Sequence, residues 1–392
     1  MGIAPRLSGQ YAVVGVGESD LGIVGPEYTE LSLQVQASLR ALDDCGLKIH
    51  DVDGVFVQPG PFERMPGLLL AEYLGIQPRV NDTTMVGGCS NLQHIEHAIA
   101  ALETGQCQVA LIAYGSTQRS ARTRKIGGVP EDPRSPRGQF DVPYGLLSPI
   151  GPYALATTRY RHLYGLEDEE LGEVAVATRQ WANLNPLAYH YEHPLTMEQY
   201  LKSPWISWPL RRDDICLVTD GGGAIVVTSM KRARDLAKRP VSVLGISSRS
   251  NAHYWIPGID DLLTTGASIT GPEAMAAGGV TYDDIDILEI YDAFTTMPLL
   301  AVENLGFCRR GEGRFFFRHS RTGPGGEMPM NTSGGGLSYC HPGMFGIFLV
   351  IEAVRQLRGE CGPRQVKNPE VVLCHAYGGV LSAESTTVLG KE

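Results

Sequence analysis

The sequence predicts an α/β protein built from two similar halves, and three observations lead there. Through roughly the first hundred residues, apolar runs of strand length alternate with amphipathic helical stretches, the pattern of a sheet with helices on its faces. A plan of Gly turn, polar residue and long apolar helix occurs twice, once around Gly87 and once within Met330 to Gly359. Between them, residues 118–210 break the rhythm with a segment rich in Arg, Pro, Gly and Tyr. The expected organisation is therefore a first half over 1–235 that includes this loop region, and a second half over 236–392.

In chain order, Tyr11 to Gly17 reads as a first buried strand. Leu31 to Cys45 follows as a helix whose apolar side is Leu33, Val35, Ala37, Leu39 and Leu42. Val52 to Val57 is a short strand, and Met65 to Leu74 a helix ending at Gly75. The stretch from Val80 to Ser116 organises the rest. Gly87 and Gly88 precede Cys89, and Leu92, Ile95, Ile99 and Leu102 then mark a helix that Gly105 closes, before the strand-like run VALIAYGS. A tight turn that presents a thiol at a helix N-terminus favours the thiolate, because unpaired N–H groups point at it. This makes Cys89 a candidate nucleophile.

The loop region holds two expected helices, Tyr153 to Tyr164 and Glu167 to Leu184. It also holds the densest cationic cluster, Arg119, Arg122, Arg124 and Lys125, whose chemistry suits a diphosphate or a partner. Ile215 to Thr228 reads as a strand with Asp220 beside a Gly triplet. The second half repeats the scheme. Val241 to Ile246 is a strand, Gly271 to Gly278 a short helix, Ile285 to Phe294 a strand with a polar end, and Ala293 to Glu303 a helix. Val371 to Gly390 closes the chain as two strands around Gly378 and Gly379.

Composition excludes several classes. With 43% hydrophobic and 19% charged residues over 392 positions, a large core is expected and disorder is not. A net charge of −10 argues against nonspecific nucleic-acid binding. The eight cysteines are scattered with no C-x-x-C pair, so neither a disulfide framework nor a zinc site is expected, and a reducing, cytoplasmic setting fits. His94 and His97 share a helix face without a third ligand, so no metal is assigned. The N-terminal MGIAPRLSGQ lacks the features of a signal peptide, the C-terminal VLGKE carries no peroxisomal tripeptide, and no apolar run approaches the ~18 residues of a membrane span.

Four loops then look convergent: Cys89-Ser90-Asn91, Tyr291-Asp292-Ala293-Phe294, Cys340-His341-Pro342 and Ala376-Tyr377-Gly378. Together they resemble the nucleophile, Asn-Glu-Ala-Phe, Gly-His-Pro and Cys-x-Gly loops of the thiolase superfamily, over essentially the whole chain. The resemblance implies the thiolase fold, with two halves that each carry a mixed five-stranded sheet in an α-β-α-β-α layering. The departures resemble the branch of sterol carrier protein thiolases, benzoylsuccinyl-CoA thiolase and steroid side-chain aldolases. Ala376 stands where the second thiolase cysteine falls, with Cys374 two positions away, and Tyr291 stands where Asn or His is usual. Steroid side-chain aldolases use tyrosines, one matching Tyr291 and the other falling at His341, and lack the nucleophilic cysteine.

By resemblance, a bulky β-ketoacyl-CoA is cleaved by coenzyme A through an acyl-enzyme on Cys89, with no tightly bound cofactor. His341 would hold the thiolate or the thioester oxygen, Tyr291 would donate to an enolate, and the N–H groups near Gly379 would complete an oxyanion hole. Arg122, Arg124, Lys125 and His375 are candidate coenzyme A contacts, although His375 also reads as a structural histidine. The implied partners are a second copy of the chain and a small zinc-ribbon and OB-fold subunit. Two other readings stay open: retro-aldol cleavage of a β-hydroxyacyl-CoA, and a non-catalytic acyl-CoA or lipid carrier.

Overall fold

Strand β1 (Tyr11–Glu18) is buried along its whole length and feeds two layers, with a register shift between Val13 and Gly15 that changes which positions face each layer. Ala12 and Val14 pack with Ala37, Ala41 and Leu42 of helix α1 (Glu30–Cys45), while Val13 and Val16 join a separate cluster with Leu92 and Ile95. The glycines of this strand let α1 lie directly on it. A Cβ on Gly15 would sit 2.2 Å from the Ala41 carbonyl oxygen, and one on Gly17 2.5 Å from that of Ala37.

This computed structural model describes residues 2–60, 63–123, 131–250 and 261–392. After α1 come β2 (Gly54–Val57), α2 (Pro66–Leu74), β3 (Val80–Thr83), α3 (Ser90–Glu103) and β4 (Val109–Ser116). The loop region contains α4 (Pro136–Phe140), α5 (Ile150–Tyr164), α6 (Asp168–Ala182), α7 (Met197–Lys202) and a small ribbon of β5 (Trp205–Ser207) and β6 (Leu210–Arg211). Then follow β7 (Gly221–Ser229), α8 (Met230–Ala233), β8 (Val241–Ser250), α9 (Ala267–Gly278), β9 (Ile287–Ile290) and α10 (Thr296–Leu305). The chain ends with α11 (Gly313–Phe316), α12 (Gly346–Arg358), β10 (Val371–Gly378) and β11 (Ala383–Lys391).

The strand order is β3-β2-β4-β7-β1-β8-β11-β10-β9. The same pairing scheme occurs twice. In the first half β1 runs antiparallel to β7, β7 antiparallel to β4, β4 parallel to β2 and β2 parallel to β3. In the second, β8 pairs antiparallel with β11, β11 antiparallel with β10, and β10 parallel with β9. The two expected halves are present, and they differ from five strands apiece in two respects. Two residue pairs, Ala12–Ser242 and Val13–Val241, join the halves into one nine-stranded sheet among the described residues. The fifth strand of the second half shrinks to a single bridge between Leu288 and Met330. The approach to Met330, TGPGGEMPM, is too rich in Gly and Pro for a longer ladder.

Helices α3 and α12 pack on each other and on strands of both halves, so they form the central layer. Helices α1 and α2 cover the outer face of the first half, and α9, with α10 against it, that of the second. This α-β-α-β-α layering brings the N-termini of α3 and α12 to one end of the sheet. One further expectation fails: the run Ile215–Val218 is not strand, because β7 begins at Gly221. Among the described residues no helix is long and apolar enough to cross a membrane.

Candidate active site

The turn before α3 is packed against two other loops through missing side chains. Gly87 has φ +96°, and a Cβ there would lie 2.5 Å from the Gly379 nitrogen. On Gly88 it would overlap the Tyr291 ring at 1.8 Å, and on Gly346, at the start of α12, it would meet the Gly88 carbonyl oxygen at 2.3 Å. The glycines noted from sequence as turn formers thus also permit close contact between the Cys89, Tyr291 and Gly379 loops.

Cys89 occupies the N-cap of α3, as expected, but it is fully buried. Its thiol is within 4.0 Å of the Val86 carbonyl oxygen. The residue facing it across the sheet end is Gly378, where a Cβ would lie 3.0 Å from Sγ. The position opposite the thiol therefore carries no acid or base, while Cys374 points to the Leu349 carbonyl of α12. Burial pushes the Cys89 thiol pKa up, and the charge of the buried Glu384 acts in the same sense. The expectation of a stabilised thiolate is thus corrected, because the loss of water outweighs the favourable helix terminus. Glu384, the cross-strand neighbour of Tyr377, is itself pushed up to about 8 by burial.

Tyr291 and His341 do come together. The phenol oxygen and Nε2 share a 2.8 Å hydrogen bond, and Phe345 stacks on the imidazole at 6.4 Å between centroids. The backbone around them is anchored by groups that sequence reading overlooked. His341 N–H donates to Thr219 Oγ1 at 2.9 Å, Gln118 Nε2 donates to the His341 carbonyl at 2.7 Å, and the Tyr114 hydroxyl donates to the Pro342 carbonyl. Asp292 does not face the cavity. Its carboxylate accepts from the Gly336 N–H at 2.6 Å and is held at about 7 by burial, so it braces the Gly335–Tyr339 turn that precedes His341. The sequence signals for these braces were faint: Gln118 opens the basic run, and Thr219 sits in the run LVTDGGG.

A cavity of about 480 Å³ opens onto this pair. Its walls include Met85, Gly87, Gly88, Tyr153, Tyr291, Phe294, Met297, His341, Met344, Tyr377 and Gly379. Cys89 lies behind that wall. Tyr153 stacks on Phe294 at 4.5 Å, and burial raises the phenol pKa values of Tyr153 and Tyr377, so both stay protonated. A second cavity of about 840 Å³ shares Pro149 and Phe294 with the first. It is lined by apolar side chains such as Ile150, Leu195, Ile206 and Val218, with Arg119, Arg179, Arg212, His190 and His193 among its polar groups.

The candidate coenzyme A contacts fare differently. Arg122 lines a surface depression that shares Arg119 and Val218 with the second cavity. Arg124 and Lys125 lie outside the described residues. His375 is corrected to a structural role. It is buried in β10, its Nδ1 is 2.8 Å from Thr386 Oγ1, and burial lowers its pKa to about 3. Among the described residues no group of three His, Cys, Asp or Glu side chains could hold a metal ion.

Comparison with known proteins bears on the family and the fold. Residues 248–391 match the family described as thiolase C-terminal domain-like. The chain is 36% identical to 17-hydroxy-3-oxo-4-pregnene-20-carboxyl-CoA lyase of Mycobacterium tuberculosis, covering 95% of this chain and 98% of that protein. It is 34% identical to the benzoylsuccinyl-CoA thiolase subunit BbsB of Thauera aromatica, covering 97% and 98%. The solved Ltp2–ChsH2(DUF35) aldolase superposes with a TM-score of 0.89 at 31% identity, over 98% of each chain. The chain belongs to the thiolase superfamily, with the thiolase fold. Its relatives there include steroid side-chain-cleaving aldolase, benzoylsuccinyl-CoA thiolase and sterol carrier protein 2.

Proposed function

We propose that this chain is an enzyme that cleaves the bond between Cα and Cβ of a bulky β-hydroxyacyl-CoA by a retro-aldol reaction. The observation that carries this reading is the Tyr291–His341 hydrogen bond on the wall of the cavity, with the Cys89 thiol behind that wall. A hydrogen-bonded phenol and imidazole can take the β-hydroxyl proton and return one to the substrate α-carbon. As the hydroxyl becomes a carbonyl, the breaking bond leaves its electron pair on the thioester enolate, and protonation at Cα completes the cleavage. We assign the thioester oxygen to the N–H groups of Cys89 and Gly379. Relatives named as a pregnene-carboxyl-CoA lyase and a steroid side-chain-cleaving aldolase support the reaction and suggest a steroid-like acyl group.

Coenzyme A belongs to the substrate, and no tightly bound cofactor is invoked. We assign its nucleotide and pantetheine arm to the second cavity, whose arginines suit a diphosphate and whose apolar floor reaches Phe294. A twofold dimer and a small partner subunit complete the proposed assembly. The partner is suggested by the Ltp2–ChsH2(DUF35) neighbour. A cytoplasmic setting fits the free cysteines.

Thiolysis through Cys89 is the second reading, favoured by the thiol at the N-cap of α3. The deciding assay offers a β-hydroxyacyl-CoA and its β-keto counterpart with no free coenzyme A. Retro-aldol chemistry predicts cleavage of the hydroxy compound, retained in Cys89→Ala. Turnover confined to the keto compound, dependent on free coenzyme A and lost in Cys89→Ala, would establish thiolysis instead.

A further inference from the structure

Ile215–Val218 lines the second cavity, and the segment 215–220 is stitched to the two loops that carry Tyr291 and His341. Ile215 forms a bridge with Phe294, the Cys216 N–H donates to the Ala293 carbonyl at 2.9 Å, and the Leu217 N–H donates to the Gly336 carbonyl at 3.0 Å. Thr219 then makes a reciprocal pair with His341. Its N–H donates to the His341 carbonyl at 3.3 Å, and its hydroxyl accepts from the His341 N–H at 2.9 Å. Gln118 supplies the second donor to that carbonyl. Asp220 fixes the neighbouring chain, accepting from the N–H groups of Arg119 at 2.8 Å and Ser120 at 3.0 Å. Thr219 and His341 are each 1% exposed, so water does not compete for these bonds.

We propose that Thr219 is a positioning residue. Through its hydroxyl and N–H it fixes the His341 backbone so that Nε2 stays on the Tyr291 phenol, with Gln118 holding the carbonyl from the other side. This rests on the reading of Tyr291 and His341 as the proton-transfer pair. Proton transfer demands heavy-atom separations within hydrogen-bond reach, and a displacement of about 1 Å can cost about 10²-fold in rate. The hydroxyl is the part of this contact that a substitution can remove without changing side-chain shape.

The test compares Thr219→Val, which keeps the shape and loses the acceptor, with Thr219→Ser, which keeps the acceptor. Thr219→Val should lower kcat by about 10- to 10²-fold, leave KM for the acyl-CoA within about twofold, and shift the pH profile of kcat. Thr219→Ser should restore kcat and the profile. A second readout needs no turnover: in protein carrying ¹⁵N-histidine, the His341 imidazole signals should move in Thr219→Val and return in Thr219→Ser. If Thr219→Val folds poorly, Gln118→Met removes the other clamp and should move the same signals. Wild-type kcat with unmoved His341 signals in Thr219→Val and Gln118→Met would overturn the proposal. So would a Thr219→Ser variant as impaired as Thr219→Val. If the wild-type protein cleaves no β-hydroxyacyl-CoA, the retro-aldol reading fails, and the imidazole signals still decide the positioning role.

Discussion

At Cys89 two effects oppose each other. The N-terminus of α3 favours a thiolate, while complete burial and the nearby Glu384 favour the thiol. Burial wins in the ligand-free chain, so iodoacetamide at neutral pH should modify the half-buried Cys308 before Cys89, as read by peptide mass mapping. Labelling of Cys89 ahead of all others would instead revive the thiolate and with it thiolysis. The proton pair makes its own demand: Tyr291→Phe and His341→Gln should each lower kcat by about 10² to 10⁴-fold, checked in steady-state assays of the acyl-CoA. Asp292 offers a pH test. Burial raises its folded pKa from the ordinary 3.8 to about 7, so between these values the native state holds a proton that the unfolded chain has released. Its contribution to stability should fall as pH rises from about 4 to about 7 and stay level above that. Asp292→Asn should flatten this part of the urea-midpoint profile, and an unchanged profile would show that Asp292 is charged when folded. That the loops of Cys89, Tyr291 and His341 meet was legible because their residue types sit in recognisable loops. The depth of Cys89 was not, since burial is set by strands distant in sequence.

The elements were legible where one periodicity dominates. Helix α3 and strand β4 fall where the apolar pattern puts them, because α3 buries one face and β4 is buried along its whole length. Strand β3 has a single strongly apolar residue, Val80, and its place is set by pairing to β2, which no local pattern encodes. Ile215–Val218 misleads in the opposite way. Its apolar side chains serve the wall of the second cavity, and its N–H groups serve loops, so hydrophobic character comes without a ladder. The turn at Gly88 is the element most sensitive to a single atom. Gly88→Ala places a methyl 1.8 Å from the Tyr291 ring position and must displace the ring or the turn. Activity should fall by at least about 10²-fold, the scale of a misplaced reacting group, and the unfolding temperature should drop. Removing the ring in Gly88→Ala/Tyr291→Ala should recover much of the stability and none of the activity. An additive double-mutant cycle, with no recovery, would show that the methyl strains something other than Tyr291.

For the whole molecule, duplicated pairing leaves the two sheet edges unlike. Beyond β9 the Leu288–Met330 bridge and its loop cover one edge. Beyond β3 no strand pairs among the described residues, and an open strand edge is a template for another chain. Beside β3, the exposed face of α2 carries Leu68, Leu69 and Tyr73 at 59%, 42% and 66% exposure, with Met65 at 72% on its N-terminal side and Met85 at 48% just after β3. Scattered exposed apolar residues are ordinary, but five around one open edge suit a surface that another chain covers. A twofold axis across β3 would pair the edge with its own copy and pack one α2 on the other, a self-complementary contact. Met85 also lines the first cavity, so that interface would stand at the cavity wall. Light scattering should therefore give twice the 42.5 kDa of one chain. Leu69→Asp with Tyr73→Asp should shift the mass to that of a single chain, since two charges per copy would be desolvated in the contact. Because the reacting pair lies on the cavity side of each copy, the monomeric variant should keep its fold by circular dichroism and lose activity only as far as the Met85 wall loosens. A wild-type protein that stays at 42.5 kDa across micromolar concentrations would remove the dimer.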